Sequence, residues 1–223
     1  MKKICVFDVN ETLLDLSALD PEFERVFGDK AVRKEWFGQF MVSMLVATVT
    51  DAYSPFGEIG SAAFDMVAKK RCITVPDEDK KAILTKVASL PPHPEVAENL
   101  ARLKAAGYEL ATLTNSTPEV AEKQLENSNL AQYFDKILSA DTIKRLKPAK
   151  EVYEMAARSY GVEARDIRLV AAHAWDIAGA LRAGCRAAFV ARPGMVLDPL
   201  VDKPDIVGKD LKEVVDKIIT NKQ

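Results

Sequence analysis

The chain has 223 residues, of which 48% are hydrophobic and 29% are charged. These proportions are typical of a globular protein with a substantial core. The formal net charge of −2 and the lack of a basic patch in the sequence argue against a nucleic-acid-binding protein.

The cysteines and the hydropathy of the sequence predict where the protein works. Cys5, Cys72 and Cys185 lie in apolar surroundings without the spacing of a metal site, so we expect reduced core residues, as in cytoplasmic proteins. The apolar run near the amino terminus is too short for a signal peptide, and no stretch reaches the length of a membrane-spanning helix. The sequence therefore predicts a cytoplasmic protein with no membrane partner.

Five short apolar runs predict the strands of a parallel sheet. They occupy residues 4–9, 108–115, 136–141, 167–173 and 187–192. Helical periodicity appears between and after them, at residues 94–106, 117–127, 149–160, 175–183 and 209–223. Gly107, Gly161 and Gly184 are natural stops for three of these helices. Strands that alternate with helices of this length predict an α/β fold with a doubly wound parallel sheet.

Residues 16–90 interrupt this alternation because they show helical patterns only. Three helical segments are predicted there, at residues 29–53, 58–72 and 77–90. The α/β pattern resumes after them. We therefore predict a core formed by residues 1–15 and 91–223, with an all-helical cap, residues 16–90, inserted after the first strand.

Polar residues follow the predicted strands at the points where the strands end. They are Asp8 and Asn10, Thr114 and Asn115, Lys147, and His173 with Asp176. Ligands of open α/β sheets bind beyond the carboxyl ends of the strands. The sequence therefore predicts that these side chains share one crevice.

Four segments at these strand ends resemble the motifs of the haloacid dehalogenase (HAD) superfamily. They are FDVNETLLD, LTNST, LKPAKEVYEMA and AAHAWDIAGA, in this order. More narrowly, they resemble the type II branch, the (S)-2-haloacid dehalogenases. The resemblance extends over nearly the whole chain, and it implies a Rossmann-like core with an inserted helical cap.

The resemblance assigns a role to each motif. Asp8 is implied to be a carboxylate nucleophile, although an aspartate here could also simply cap the following turn. Lys147 is implied to keep that carboxylate ionised and aimed; otherwise it would be a solvated surface lysine. Thr12, Thr114 and Asn115 supply donors that could hold a substrate carboxylate, beside a helix amino terminus near residue 117 that favours anions.

Position 10 argues for carbon–halogen chemistry. Phosphatases of this fold usually carry a second aspartate there, as the acid for the leaving alkoxide, whereas this chain has Asn10. A halide leaves without protonation. Of the carboxylates that would hold Mg²⁺ in the fourth motif, only Asp176 remains, since position 172 is alanine. We therefore expect no metal and no cofactor, and a phosphatase acting on a small phosphate ester is the alternative.

The expected reaction has two steps. Asp8 displaces halide from a short 2-haloalkanoic acid and forms an ester, and water then attacks that ester to release a 2-hydroxy acid. Asp176 is the expected base for the water, with His173 assisting. Alternatively, Asp176 is a helix cap and His173 an ordinary hydrogen-bonding residue. Tyr153 matches a tyrosine of the family motif and is expected to support Lys147.

One position departs from the family pattern. Type II enzymes usually carry a halide-binding arginine after the tryptophan that corresponds to Trp36, and here Phe37 follows it. Halide would then be held by groups such as Asn115, Trp175, His173 or the aromatic edges of Phe37 and Phe40. The departure is compatible with a defluorinating enzyme, a different substrate or a catalytically silent binding protein. Family resemblance alone favours a homodimer.

Overall fold

A six-stranded, all-parallel sheet forms the centre of the molecule. The computed structural model describes residues 3–220. The strands are β1 Ile4–Phe7, β2 Glu109–Thr114, β3 Lys136–Ser139, β4 Ile167–Ala171, β5 Arg186–Val190 and β6 Ile206–Gly208. Their order across the sheet is β3-β2-β1-β4-β5-β6. The predicted fold class is confirmed, and the short strand β6 is an addition to the five predicted strands.

Along the chain, helices α1 to α4 follow β1 and precede the other five strands. Their bounds are α1 Asp20–Phe27, α2 Val32–Val49, α3 Phe56–Lys70 and α4 Asp77–Lys86. The three predicted helical segments correspond to α2, α3 and α4. Helix α1 lies outside those three segments and was not predicted as a separate helix. Aromatic rings hold the group together: the Phe23 ring lies 5.4 Å from that of Trp36 and 5.9 Å from that of Phe64.

The remaining five helices cover the two faces of the sheet. They are α5 Val96–Ala105, α6 Pro118–Asn127, α7 Lys150–Tyr160, α8 Ala174–Arg182 and α9 Leu211–Thr220. Successive side chains of a strand point to opposite faces. Accordingly, Phe7 packs in a cluster with residues of α5 and α9, whereas Val6 packs with residues of α7 and α8. Of the helix predicted at 209–223, residues 221–223 lie outside the described residues.

The chain leaves and re-enters the sheet layer at adjacent points. The Asp15 N–H donates to the carbonyl of Pro91 (2.8 Å), and the His93 N–H donates to the carbonyl of Leu13 (2.9 Å). All of α1 to α4 lies between these two segments. The division into a core of residues 1–15 and 91–223 and a cap of residues 16–90 stays a prediction.

Contacts between α2 and the strand ends bring the helical segment over the carboxyl edge of the sheet. The ring of Phe37 lies 5.8 Å from that of His173, and the hydroxyl of Tyr53, just beyond α2, donates to Asp141. No helix among residues 3–220 is long and apolar enough to span a membrane. The prediction that all three cysteines are core residues is wrong for Cys72, which is exposed.

Candidate active site

Asp8, Lys147 and Asp176 meet at the carboxyl edge of the sheet. Asp8 directly follows β1, and its N–H donates to the carbonyl of Val170 on the neighbouring strand β4 (3.1 Å). Lys147 precedes α7, and Asp176 lies in the first turn of α8. Parallel strands end at one edge, so residues more than 100 positions apart become neighbours.

The ammonium group of Lys147 bridges the two carboxylates. Its Nζ lies 2.8 Å from Asp8 Oδ1, 2.7 Å from Asp176 Oδ2 and 2.8 Å from the carbonyl oxygen of Leu113. A lysine has three N–H donors, and each one has an acceptor here. The side chain is only 1% exposed. A charge buried to this degree is tolerated because it is paired and fully hydrogen-bonded.

The two carboxyl groups respond differently to this setting. Burial alone would raise the pKa of Asp8, but the Lys147 ammonium and His173 hold it well below its usual range. Burial raises the pKa of Asp176, and the charge of Asp8 adds to that effect while Lys147 opposes it. Burial disfavours the Lys147 ammonium, yet the two carboxylates raise its pKa. The site therefore contains a firmly ionised Asp8 beside a more basic Asp176.

Thr12 fixes the second oxygen of Asp8. Its hydroxyl donates to Asp8 Oδ2 (2.6 Å) and accepts a hydrogen bond from the Ala172 N–H (2.9 Å). Thr12 was expected to hold a substrate carboxylate. In this structure the O–H donor of the threonine is directed to the nucleophile, and the expected contact with a substrate carboxylate stays a prediction.

His173 lies between two carboxylates. Its Nδ1 is 3.2 Å from Asp8 Oδ2, and its Nε2 is 2.9 Å from Glu11 Oε2. Burial favours the neutral imidazole, but the hydrogen bonds and charges of Asp8 and Glu11 outweigh it and raise the pKa of His173 to about 9. At neutral pH both ring nitrogens therefore donate. The expected assistance of His173 to Asp176 stays a prediction.

Glu11 is a part of the site that sequence reasoning missed. It accepts from His173, and its other oxygen lies 3.6 Å from a terminal guanidinium nitrogen of Arg33. Its φ of 60° is in the left-handed region, which residues other than glycine rarely adopt. No motif singles out this glutamate; the only signal is its position inside the turn that follows the nucleophile.

Tyr153 supports the candidate base rather than the lysine. Its hydroxyl donates to Asp176 Oδ1 (2.6 Å), and the side chain is fully buried. The predicted support of Lys147 is thus corrected to support of Asp176. The contact needs a glycine on α8, since a Cβ at Gly179 would lie 2.5 Å from the tyrosine oxygen.

Thr114 and Asn115 shape the loops of the site. Thr114 Oγ1 accepts from the Ser116 N–H (3.2 Å), and Asn115 Oδ1 accepts from the backbone N–H of Lys147 (2.8 Å). Asn10 accepts from the amide of Gln124 (2.9 Å), a residue that sequence reasoning did not identify. Thr114 and Asn115 therefore position the backbone of Ser116 and Lys147, and the predicted contacts of Asn10, Thr114 and Asn115 with a substrate stay a prediction.

The predicted aromatic residues divide into two groups. Phe37 and Phe40, with Asn10, line a cavity of about 460 Å³ beside the site. Trp175 stacks on His173 with ring centroids 5.2 Å apart, and its ring lies 5.7 Å from Lys147 Nζ. The indole N–H of Trp175 is buried without a hydrogen-bond partner.

The described residues contain no cluster of side chains that could hold a metal ion. Within residues 3–220, no group of three or more His, Cys, Asp or Glu side chains is placed to hold one. In the cleft, Asp8 and Asp176 both accept from the ammonium of Lys147. The expectation that the protein needs no metal stays a prediction.

Comparison with known proteins identifies the class. The family model described as "Hydrolase: haloacid dehalogenase-like hydrolase" matches residues 2–184. A solved structure, L-2-haloacid dehalogenase from Xanthobacter autotrophicus with chloropropionic acid covalently bound, superposes with a TM-score of 0.92 over 100% of both chains at 21% identity. At that identity, the likeness shows a shared fold.

Two curated relatives narrow the class. (S)-2-haloacid dehalogenase 4A of Burkholderia cepacia is 30% identical over 86% of this chain and 84% of its own. (S)-2-haloacid dehalogenase H-109 of Pseudomonas putida is 25% identical over 96% of both chains. The chain belongs to the haloacid dehalogenase-like hydrolases and, among them, to the (S)-2-haloacid dehalogenase family. The predicted family and enzyme class are confirmed, and the phosphatase alternative is not favoured.

The pKa values of the two histidines should be shifted in opposite directions from that of a free histidine. His173 is stabilised as a cation by Asp8 and Glu11, so we expect its ¹⁵N resonances to titrate near pH 9. Burial and Arg192 lower the pKa of His93, which serves as the internal control below pH 6.5. Because the folded pKa of His173 is raised, its stabilising contribution is complete below about pH 6.5 and is lost as the pH rises through 9. Titration of His173 below pH 6.5 would contradict this arrangement.

Proposed function

We propose that this enzyme hydrolyses 2-haloalkanoic acids to 2-hydroxy acids through an ester on Asp8. The observation that carries the proposal is the position of the Lys147 ammonium, within 2.8 Å of Asp8 and 2.7 Å of Asp176. It holds one carboxylate ionised for attack, and it links that carboxylate to a second one whose pKa is raised.

In the first step, one oxygen of Asp8 attacks the carbon that bears the halogen. The new C–O bond forms as the carbon–halogen bond breaks, and the halogen leaves with the bonding electron pair. No proton is needed for this departure. Lys147 and Thr12, each hydrogen-bonded to a different oxygen of Asp8, keep the carboxylate fixed in its orientation.

In the second step, water attacks the carbonyl carbon of the Asp8 ester. Asp176 takes a proton from that water, a role that suits a carboxylate whose pKa burial has raised. Negative charge develops on the carbonyl oxygen of the ester, which is the Asp8 oxygen that did not attack. The donor already bonded to that oxygen, Lys147 at Oδ1 or Thr12 at Oδ2, stabilises the charge. Tyr153 keeps Asp176 oriented. Collapse of the intermediate breaks the bond between the Asp8 carbonyl carbon and the substrate oxygen, and Asp176 returns its proton to that oxygen. The 2-hydroxy acid, inverted at a chiral carbon, leaves, and Asp8 loses its remaining proton to solvent and is restored.

The family resemblance implies a halide-binding arginine at position 37, where this chain has Phe37. Another group must therefore bind the halide. We assign this role to the His173 cation and to the unpartnered indole N–H of Trp175, whose rings are stacked. Esterification removes the negative charge of Asp8, which lies 3.2 Å from His173. The imidazolium then keeps only Glu11 as an anionic partner, and its Nδ1–H is free to bind the departing anion.

The helical segment completes the enzyme as a cap and as a contact for a second subunit. In our proposal, residues 16–90 form the cap of a cytoplasmic homodimer. Support comes from α2, which is buried on one face and yet exposes Val42 (55%), Val46 (55%) and Val49 (83%) on the other. The first half of α2 carries charged residues, but its residues 40–49 are mostly apolar on both faces, and a helical stretch of that kind is normally buried on every side.

Halide release should depend on Asp8 and not on a divalent cation. We expect chloride from 2-chloropropionate and bromide from bromoacetate in the presence of a chelator. Asp8→Asn should lower the rate on the order of 10⁴-fold or more, because it removes the covalent nucleophile. The control Asp51→Asn changes an exposed aspartate (82%) and should leave the rate within about twofold. Magnesium-dependent phosphate release from an aryl phosphate, without halide release, would refute the proposal.

The apolar face of α2 should control assembly. Light scattering should give twice the mass of one chain for the unmodified protein and a single-chain mass for Val46→Glu, since a charge cannot be buried there unpaired. Leu200→Glu is the matched control: it introduces the same charge at another exposed aliphatic residue (89% exposed) and should stay dimeric. A monomeric unmodified protein, or a dimeric Val46→Glu, would count against this interface.

A further inference from the structure

A cavity of about 460 Å³ lies between the helical segment and the strand ends. Its walls come from α2, α3, the end of α4 with the segment that follows it, and the start of α6. Among the apolar residues that line it are Phe37, Phe40, Phe56, Leu84, Val87 and Val120. This volume lies within the range of pockets that hold drug-sized ligands, about 300–1,000 Å³.

The cavity is mainly apolar at the helical side, where Glu58 and Thr85 are its polar residues, and polar at the strand side. Trp36, which also lines it, donates its indole N–H to the carbonyl of Gly60 (2.9 Å) and so presents mainly carbon surface. Asn10, Ser116 and Thr117 supply the polar atoms next to the strand ends. This polarity suits a molecule with a polar head at the sheet and an apolar tail beneath the helices.

Phe37 links the cavity to the reacting groups. Its ring lines the cavity and lies 5.8 Å from the ring of His173, which in turn lies 3.2 Å from Asp8 Oδ2. Asn10, two residues after Asp8, forms part of the same wall. A substituent on the carbon that Asp8 attacks would therefore extend past Phe37 into the apolar space.

The volume exceeds what a short haloacid needs. Chloropropionate has six non-hydrogen atoms, which fill roughly 180 Å³ if each takes as much space as a water molecule. More than half of the cavity of about 460 Å³ would then stay empty. Apolar surface that a ligand leaves uncovered contributes nothing to its binding.

We propose that the preferred substrate is a 2-haloacid with a hydrophobic substituent, either an alkyl chain of about four to six carbons or an aryl ring. The carboxylate and the halogen-bearing carbon lie at the strand ends, and the substituent fills the cavity. The inference rests on the proposed function, and it specifies the substrate class of the same site. Each buried methylene should improve kcat/KM by about fourfold.

The test compares 2-chloropropionate, 2-chlorohexanoate and 2-chloro-2-phenylacetate by chloride release. We expect kcat/KM to be at least tenfold higher for the two larger acids than for chloropropionate. Val120→Phe should remove this preference, because the part-buried Val120 side chain lines the cavity and a larger ring there takes up its volume. Val120→Ala is the matched control at the same position and should keep the preference.

Calorimetry with halogen-free acids tests the cavity without catalysis. Hexanoate should bind the unmodified protein at least tenfold more tightly than acetate. If chloropropionate is hydrolysed as well as the larger acids and hexanoate binds no better than acetate, the inference is overturned and the proposed function stands. If none of the haloacids is hydrolysed, the proposed function fails, and the hexanoate measurement alone decides whether the cavity accepts hydrophobic acids.

Discussion

The ammonium group of Lys147 is the interaction on which the site depends. It is buried between Asp8 and Asp176 and has no contact with bulk water to offset its desolvation. Its charge is tolerated only because both carboxylates and the carbonyl of Leu113 accept from it. Without the cation, two carboxylates would share a buried site, and such pairs cannot both stay ionised. The lysine thus permits an ionised nucleophile in an interior position.

His173 and Glu11 add further charges around Asp8, and the charge balance of the site would change when Asp8 forms an ester. His173 adds a second cation, and Glu11 adds a third carboxylate that pairs with it. Formation of an ester at Asp8 would remove one negative charge from the network. Both cations would then face a site with less anionic compensation at the moment when a halide is expelled. We infer that these cations take the halide-binding role for which the family resemblance implies an arginine at position 37.

The sequence predicts the fold and the reacting groups better than their contacts. Apolar runs identify β1 to β5, but β6 has three residues and an exposed middle position, Val207, so it gives no apolar run. The strand-end pattern brings Asp8, Lys147 and Asp176 together. It does not tell that Tyr153 contacts Asp176, or that Glu11 contacts His173 across 162 positions, because such contacts depend on side-chain directions in the folded molecule. The large cavity likewise arises from packing between distant helices.

A single turnover in ¹⁸O-labelled water tests the central claim most directly, namely that the carboxylate held by Lys147 forms a bond to the substrate carbon. With enzyme in excess over a 2-haloacid, one labelled oxygen should enter Asp8, and the first 2-hydroxy acid released should carry none from water. Mass spectrometry of the peptide that contains Asp8 and of the product reads both outcomes. Label in the first product, with an unlabelled Asp8, would show that water attacks the substrate directly, and it would contradict the account.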